Sequence, residues 1–167
     1  MMKETNVMEI QANINGDDIA EAVPVRMHAA DFLRKRCGLT GVHIGCEQGV
    51  CGMCTIVVDG VAVKSCLMLA VQLDDCTVRT VESLEENGGL NALQQAFREH
   101  HGLQCGFCTP GFLMLATHLK NSGKRYTLSE LRDEMSGVLC RCTGYEGPVR
   151  AVAQYLGDQM IDDGLPC

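Results

Sequence analysis

Over residues 8–15 apolar and polar positions alternate, with Met8, Ile10, Ala12 and Ile14 set against Glu9, Gln11, Asn13 and Asn15. A period of two is that of a strand with one face buried, and Asn15-Gly16 directly after it suits a tight hairpin turn whose central residues need positive φ. The chain is expected to return as a second strand over residues 19–25. Pro24 places that strand at an edge or near a strand end, where a missing N–H breaks no ladder. Residues 29–36 read as a short helix. Residues 55–58 and 61–65 flank Asp59-Gly60 as a second hairpin, and residues 76–81 offer one more strand. These elements make a small mixed sheet packed on one helix.

Beyond the polar, glycine-ending stretch 82–89 the period lengthens to 3.6. Leu90, Leu93 and Phe97 mark one helix. Phe112, Leu115, Ala116 and Leu119 mark a second, with Pro110 in its first turn and Gly123 beyond its end. Thr127-Leu128-Ser129-Glu130 has capping-box spacing and opens a third, with Leu128, Leu131 and Met135 on one face. Val149, Val152, Ala153, Leu156 and Met160 give a fourth, entered through Pro148. The expected fold class is α+β, a sheet domain over residues 1–84 followed by an all-α four-helix domain over residues 85–167.

Composition narrows the function. The 167 residues, 46% of them hydrophobic, suffice for one domain or two small ones. Three Tyr, four Phe and no Trp leave no base-stacking platform, and a net charge of -7 repels a phosphate backbone, so no nucleic acid is expected as partner. No basic segment followed by an apolar one opens the chain, and no apolar run approaches the roughly 20 residues of a bilayer span. A soluble, cytoplasmic protein without membrane insertion is expected. In a reducing compartment eleven cysteines point to metal ligation rather than disulfides.

Eight of those cysteines fall into two quartets. Cys46-x4-Cys51-x2-Cys54 followed by Cys66 has the plant-type ferredoxin spacing of a [2Fe-2S] cluster, and the glycines among the ligands let the backbone wrap tightly and turn its amides toward sulfur. Cys105-x2-Cys108, followed after thirty-one residues by Cys140-x-Cys142, supplies four more thiolates. That second spacing suits tetrahedral zinc as well as iron. Two iron-sulfur clusters would make the chain a carrier of single electrons. Cys37, Cys76 and Cys167 remain, the first two expected as buried structural thiols. His43 lies three residues before Cys46, where a histidine ligand would be superfluous beside four cysteines. His100-His101 reads as a solvated helix end, and Arg34-Lys35-Arg36 as a solvated basic face. Arg141 suits either an interfacial ion pair or a charge that tunes a cluster.

The sequences Gln104-Cys105-Gly106-Phe107-Cys108-Thr109-Pro110-Gly111 and Cys140-Arg141-Cys142-Thr143-Gly144-Tyr145, placed after a plant-type motif, resemble the small iron-sulfur subunit of the molybdenum hydroxylases, the xanthine oxidase family. The likeness runs from about Met8 to Met160 and is strongest to bacterial hydroxylases of N-heteroaromatic compounds such as quinoline. It implies a β-grasp ferredoxin domain followed by the four-helix domain, each with one [2Fe-2S] cluster. It further implies a large subunit carrying molybdopterin, in bacteria often as the cytosine dinucleotide, and a medium subunit carrying FAD, assembled as a dimer of heterotrimers. Electrons would pass from molybdenum to the cluster of Cys105, Cys108, Cys140 and Cys142, then to that of Cys46, Cys51, Cys54 and Cys66, then to flavin. Gln104 and Cys142 would contact the pterin, and no substrate chemistry would fall on this chain. The alternatives are a free-standing two-cluster ferredoxin, a small subunit of a carbon monoxide or aldehyde dehydrogenase of the same family, and a structural zinc protein.

Overall fold

The computed structural model describes residues 6–162 and 164. In its first half β1 (Val7–Ile14) and β2 (Asp17–Pro24) form the Asn15-Gly16 hairpin, α1 (Ala29–Lys35) crosses over, β3 (Thr55–Val58) and β4 (Val61–Lys64) form the second hairpin, and β5 (Thr77–Arg79) follows. The five strands lie in the order β2-β1-β5-β3-β4, with β1 parallel to β5 and the other pairs antiparallel. This is a β-grasp sheet, and Pro24 ends its edge strand, where no neighbour needs its amide. Ile10, Ala12 and Ile14 share one core with Phe32 and Leu33 of α1 and with Ile56 and Val78. Met8, expected on the same buried face, is exposed at the start of β1. The strand expected over residues 76–81 is shorter because Val81–Leu84 coils into a 3-10 turn.

The second half holds the four expected helices, α2 (Ala92–Glu99), α3 (Thr109–Asn121), α4 (Leu128–Met135) and α5 (Glu146–Leu156). Pro110 lies in the first turn of α3. Reciprocal capping boxes open α2 through Asn91 and Gln94 and α4 through Thr127 and Glu130, each such cap contributing about 1 kcal/mol. Leu90, expected on α2, precedes the Asn91 cap and is exposed. The last helix starts at Glu146, two residues before Pro148, because Tyr145 takes a left-handed conformation (φ 71°) and turns the chain into it. Met160 lies beyond that helix. It belongs to β7 (Met160–Ile161), paired in parallel with β6 (Tyr126–Thr127), a pairing that apolar periodicity does not reveal. Among the described residues no helix is long and apolar enough to cross a membrane.

The two halves meet along β3 and α3. β3 is buried throughout: Ile56 and Val58 point into the sheet core, while Val57 joins Phe97, Phe112, Leu131 and Val152 in the helical core. At one end of this contact backbone touches backbone. A Cβ on Gly111 of α3 would stand 2.5 Å from the Gly52 carbonyl oxygen, and one on Gly52 would stand 2.1 Å from that of Gly137. Leu139 N–H donates to the Cys51 carbonyl at 2.8 Å.

Gly111→Ala is expected to cost about 1–3 kcal/mol through overpacking at this seam. For a protein of this size that is a fall in Tm of roughly 2–4 °C per kcal/mol, measurable by calorimetry on the iron-loaded protein. Gly89→Ala is the control, since its Cβ would meet nothing nearer than Glu86 O at 3.6 Å and should move stability by no more than about 0.5 kcal/mol. Equal melting of the two variants would contradict the contact.

Candidate metal centres

The first quartet sits in the loop between α1 and β3 and on the turn after β4. Arg34 on α1 donates to the carbonyls of Thr40 and Val42 at 2.6 and 2.9 Å, bracing the loop that delivers Cys46. The basic run at residues 34–36 is therefore not uniformly a solvated face. Lys35 and Arg36 make the surface pairs expected of one, with Asp31 at 2.9 Å and Glu21 at 3.5 Å, but Arg34 serves the loop. Positive φ at Glu47, Gly49 and Gly52 curls the backbone inward, and the amides of Gln48 and Cys51 donate to Cys46 Sγ at 3.4 and 3.3 Å. Ser65 donates through both its amide and its hydroxyl to Cys54 O, at 3.2 and 2.7 Å, which sets Cys66 beside Cys54.

The second quartet joins two helix ends. Cys105 and Cys108 lie in the turn that enters α3, and Cys140 and Cys142 lie between α4 and α5. Cys140 N–H donates to Tyr145 Oη at 3.0 Å, and the Tyr145 ring stands edge-on to Phe112 of α3 at 6.1 Å, tying the Cys140 segment to the helical core. Gln104 Nε2 donates to Cys142 O at 3.0 Å, so the two residues that the family resemblance singles out are brought together.

Within each quartet the thiols meet two by two. Cys46 is beside Cys51 and Cys54 beside Cys66; Cys105 is beside Cys142 and Cys108 beside Cys140. Among the described residues no three His, Cys, Asp or Glu side chains gather as one metal ion requires. Tetrahedral zinc would draw four donors to one point, whereas a [2Fe-2S] core gives each of its two irons two thiolates. Both donor sets fit the two-iron core. The buried hydroxyl of Thr109, next to Cys108, has no hydrogen-bond partner among the described residues, as suits a donor reserved for a bound group.

Thiol acidity follows local structure. The Cys51 amide, aided by that of Gln48, lowers Cys46 to about 7. Burial, with the neighbouring thiol of Cys54, raises Cys66 to about 11; burial, with that of Cys140, raises Cys108 to about 12. Burial also pushes Cys140 up, but the hydroxyl and amide of Thr143 and the Cys142 amide outweigh it and leave that thiol below its ordinary value.

The remaining cysteines lie elsewhere. Cys37 and Cys76 are half-buried rather than fully enclosed, and Cys167 lies outside the described residues. His43 stacks on Phe107 with ring centroids 4.7 Å apart, its Nδ1 2.7 Å from Phe107 O, so it links the two cysteine loops instead of replacing a ligand. The ring of His100, at the end of α2, is hydrogen-bonded to Gln154, and Arg141 is exposed. Lys64 went unremarked in the sequence. Its Nζ donates to Thr55 Oγ1 at 3.0 Å and Gly137 O at 2.9 Å; burial lowers its pKa and the four thiols of the first quartet oppose that. Its place two residues before Cys66 was the one available signal.

Two family models match in tandem, a 2Fe-2S iron-sulfur cluster binding domain over residues 12–83 and a [2Fe-2S] binding domain over residues 80–153. The chain is 52% identical over 150 residues to the nicotine 6-hydroxylase small subunit of Paenarthrobacter nicotinovorans, with 90% of each covered. It is 51% identical over 146 residues to caffeine dehydrogenase subunit gamma of Pseudomonas sp. (strain CBB1), covering 86% of this chain and 87% of that one. A chain of the crystal structure of quinoline 2-oxidoreductase from Pseudomonas putida 86 superposes with a TM-score of 0.84 at 50% identity, covering 91% of this chain and 94% of that one. With two tandem [2Fe-2S] domains and relatives this similar over nearly their whole length, the chain belongs to the small iron-sulfur subunits of the molybdenum hydroxylase (xanthine oxidase) family, electron-transfer components of multi-subunit oxidoreductases.

Proposed function

We propose that the chain relays single electrons from a large molybdopterin-bearing subunit to a medium FAD-bearing subunit. Cys105, Cys108, Cys140 and Cys142 hold the first carrier on this route, and Cys46, Cys51, Cys54 and Cys66 hold the second. Two-iron clusters supply one-electron steps; the protein sets their order and spacing. The supporting observation is the graded burial of the thiol pairs. Cys105 and Cys142 are exposed, while their partners Cys108 and Cys140 lie deeper. Cys140 follows Leu139, whose amide meets the Cys51 carbonyl. The outer pair thus faces a partner, the inner pair faces the ferredoxin half, and one backbone hydrogen bond joins the two sites.

Gln104 stands at the outer edge. With Nε2 given to Cys142 O, it binds the two exposed cysteine segments together and holds its own side chain beside them, which supports a role at the pterin. The substrate class we propose is an N-heteroaromatic such as quinoline. Nicotine, caffeine and quinoline, named for the three relatives above, are all nitrogen heterocycles. The family resemblance is the ground for extending the proposal to the molybdopterin cytosine dinucleotide, a dimer of heterotrimers and a cytoplasmic location, and the meeting of the two family matches at residues 80–83 supports a division of the chain near residues 84 and 85.

Iron and acid-labile sulfide should each come to about four per chain. Low-temperature electron paramagnetic resonance of the partly reduced protein should resolve two signals, with Cys54→Ser altering one and Cys108→Ser the other. If both substitutions removed the same signal, the partition of ligands would be wrong. Gln104→Ala should retain all the iron and reduce normally with dithionite, yet lose substrate-driven cluster reduction in the whole complex by roughly 10–100-fold. An unchanged rate in rapid-mixing absorbance, with full molybdenum content, removes Gln104 from the site.

A further inference from the structure

Lysines near protein surfaces usually carry their charge on a mobile stem, but Lys64 is tethered at its tip. Its ammonium donates to Thr55 Oγ1 at 3.0 Å, and that hydroxyl in turn donates to the Gly52 carbonyl at 2.6 Å, inside the loop of the first quartet. A second bond reaches Gly137 O at 2.9 Å, just beyond α4, where unpaired helix carbonyls favour a cation. The ammonium stands 3.0 Å from where a Cβ on Gly52 would lie. The half-buried ammonium thus lies against the Gly52 backbone, between the ligand candidates Cys51 and Cys54 of the first quartet.

We infer that Lys64 is a positioning residue for electron transfer, a fixed cation that raises the reduction potential of the cluster held by Cys46, Cys51, Cys54 and Cys66 relative to the cluster in the helical half. This rests on the reading that those four cysteines hold a [2Fe-2S] cluster. One-electron reduction adds one negative charge to that cluster and breaks no bond, so a cation held beside the thiolates stabilises the reduced form. The charge thereby biases the electron toward the ferredoxin half, on the flavin side of the relay. The bond to Gly137 also ties the end of α4 to the Gly52 loop, while the ammonium itself is held on the first quartet's loop through Thr55.

The test is a redox titration of the purified complex followed by low-temperature electron paramagnetic resonance, comparing wild type with Lys64→Gln, Lys64→Met and Lys64→Arg. Lys64→Gln keeps a donor for Gly137 and loses the charge; Lys64→Met loses both; Lys64→Arg keeps the charge. Both neutral variants should shift the one-electron equilibrium of the ferredoxin-half signal about tenfold toward the oxidised form, roughly 59 mV lower. The helical-half signal should move much less, and Lys64→Arg should stay near wild type. An unchanged potential in Lys64→Gln, or equal shifts in both signals, overturns the inference. Iron loss in both neutral variants with full iron in Lys64→Arg supports it through the same requirement for charge, whereas iron loss in Lys64→Arg as well makes the residue a packing element and overturns it. Wild-type iron content and its two signals test the cluster reading separately, so failure of one is distinguishable from failure of the other.

Discussion

The Leu139 amide reaches the Cys51 carbonyl at 2.8 Å because nothing stands between the two backbones. Gly52 and Gly111 carry no Cβ to hold the loops apart, and each would collide with a neighbouring carbonyl oxygen if they did. Most of what the structure achieves depends on this approach. It presses a sheet-edge loop and the ends of two helices together at the positions where their cysteines lie. A single intervening side chain would separate two electron carriers whose exchange depends on proximity.

Larger elements serve the seam. β3 is buried on both faces, so it belongs to the sheet core through Ile56 and Val58 and to the helical core through Val57. The two halves are thereby registered by a strand that neither can give up. Short polar contacts then set the loops within that frame: Arg34 braces the approach to Cys46, Ser65 holds Cys66 beside Cys54, and Tyr145 holds Cys140. The thiols grade from exposed at Cys105 and Cys142 to buried at Cys54 and Cys66.

Much of this was legible in the sequence where the signal was local. The period-two run into Ile14, the Asn15-Gly16 turn, the Thr127–Glu130 capping box and the cysteine spacings each report on a few neighbouring residues, and the structure places their elements accordingly. Errors arose where long-range contacts decide. Met160 continues the stripe of α5, but Tyr126 recruits it into a two-residue strand pair; Leu90 is the local exception, since it fits a helical period but the Asn91–Gln94 cap leaves it outside. The spacing of Cys105 to Cys142 could not separate iron from zinc, because the pairwise meeting of thiols is a property of the folded loops. Lys64 carries only the weak signal of standing two residues before Cys66, because its partner Gly137 lies across the fold. The unpartnered hydroxyl of Thr109 is likewise a property of the folded site, although the residue itself lies inside the second cysteine motif.

The central claim is that the seam at Cys51, Gly52 and Leu139 seats two paramagnetic centres against each other. The spectrum of the fully reduced complex, compared with that of a sample poised at half reduction, tests it most directly. If the two centres are seated as described, each signal in the fully reduced protein should be split or broadened by the spin of the other, and the effect should vanish at half reduction. A fully reduced spectrum equal to the plain sum of two independent signals would contradict the account.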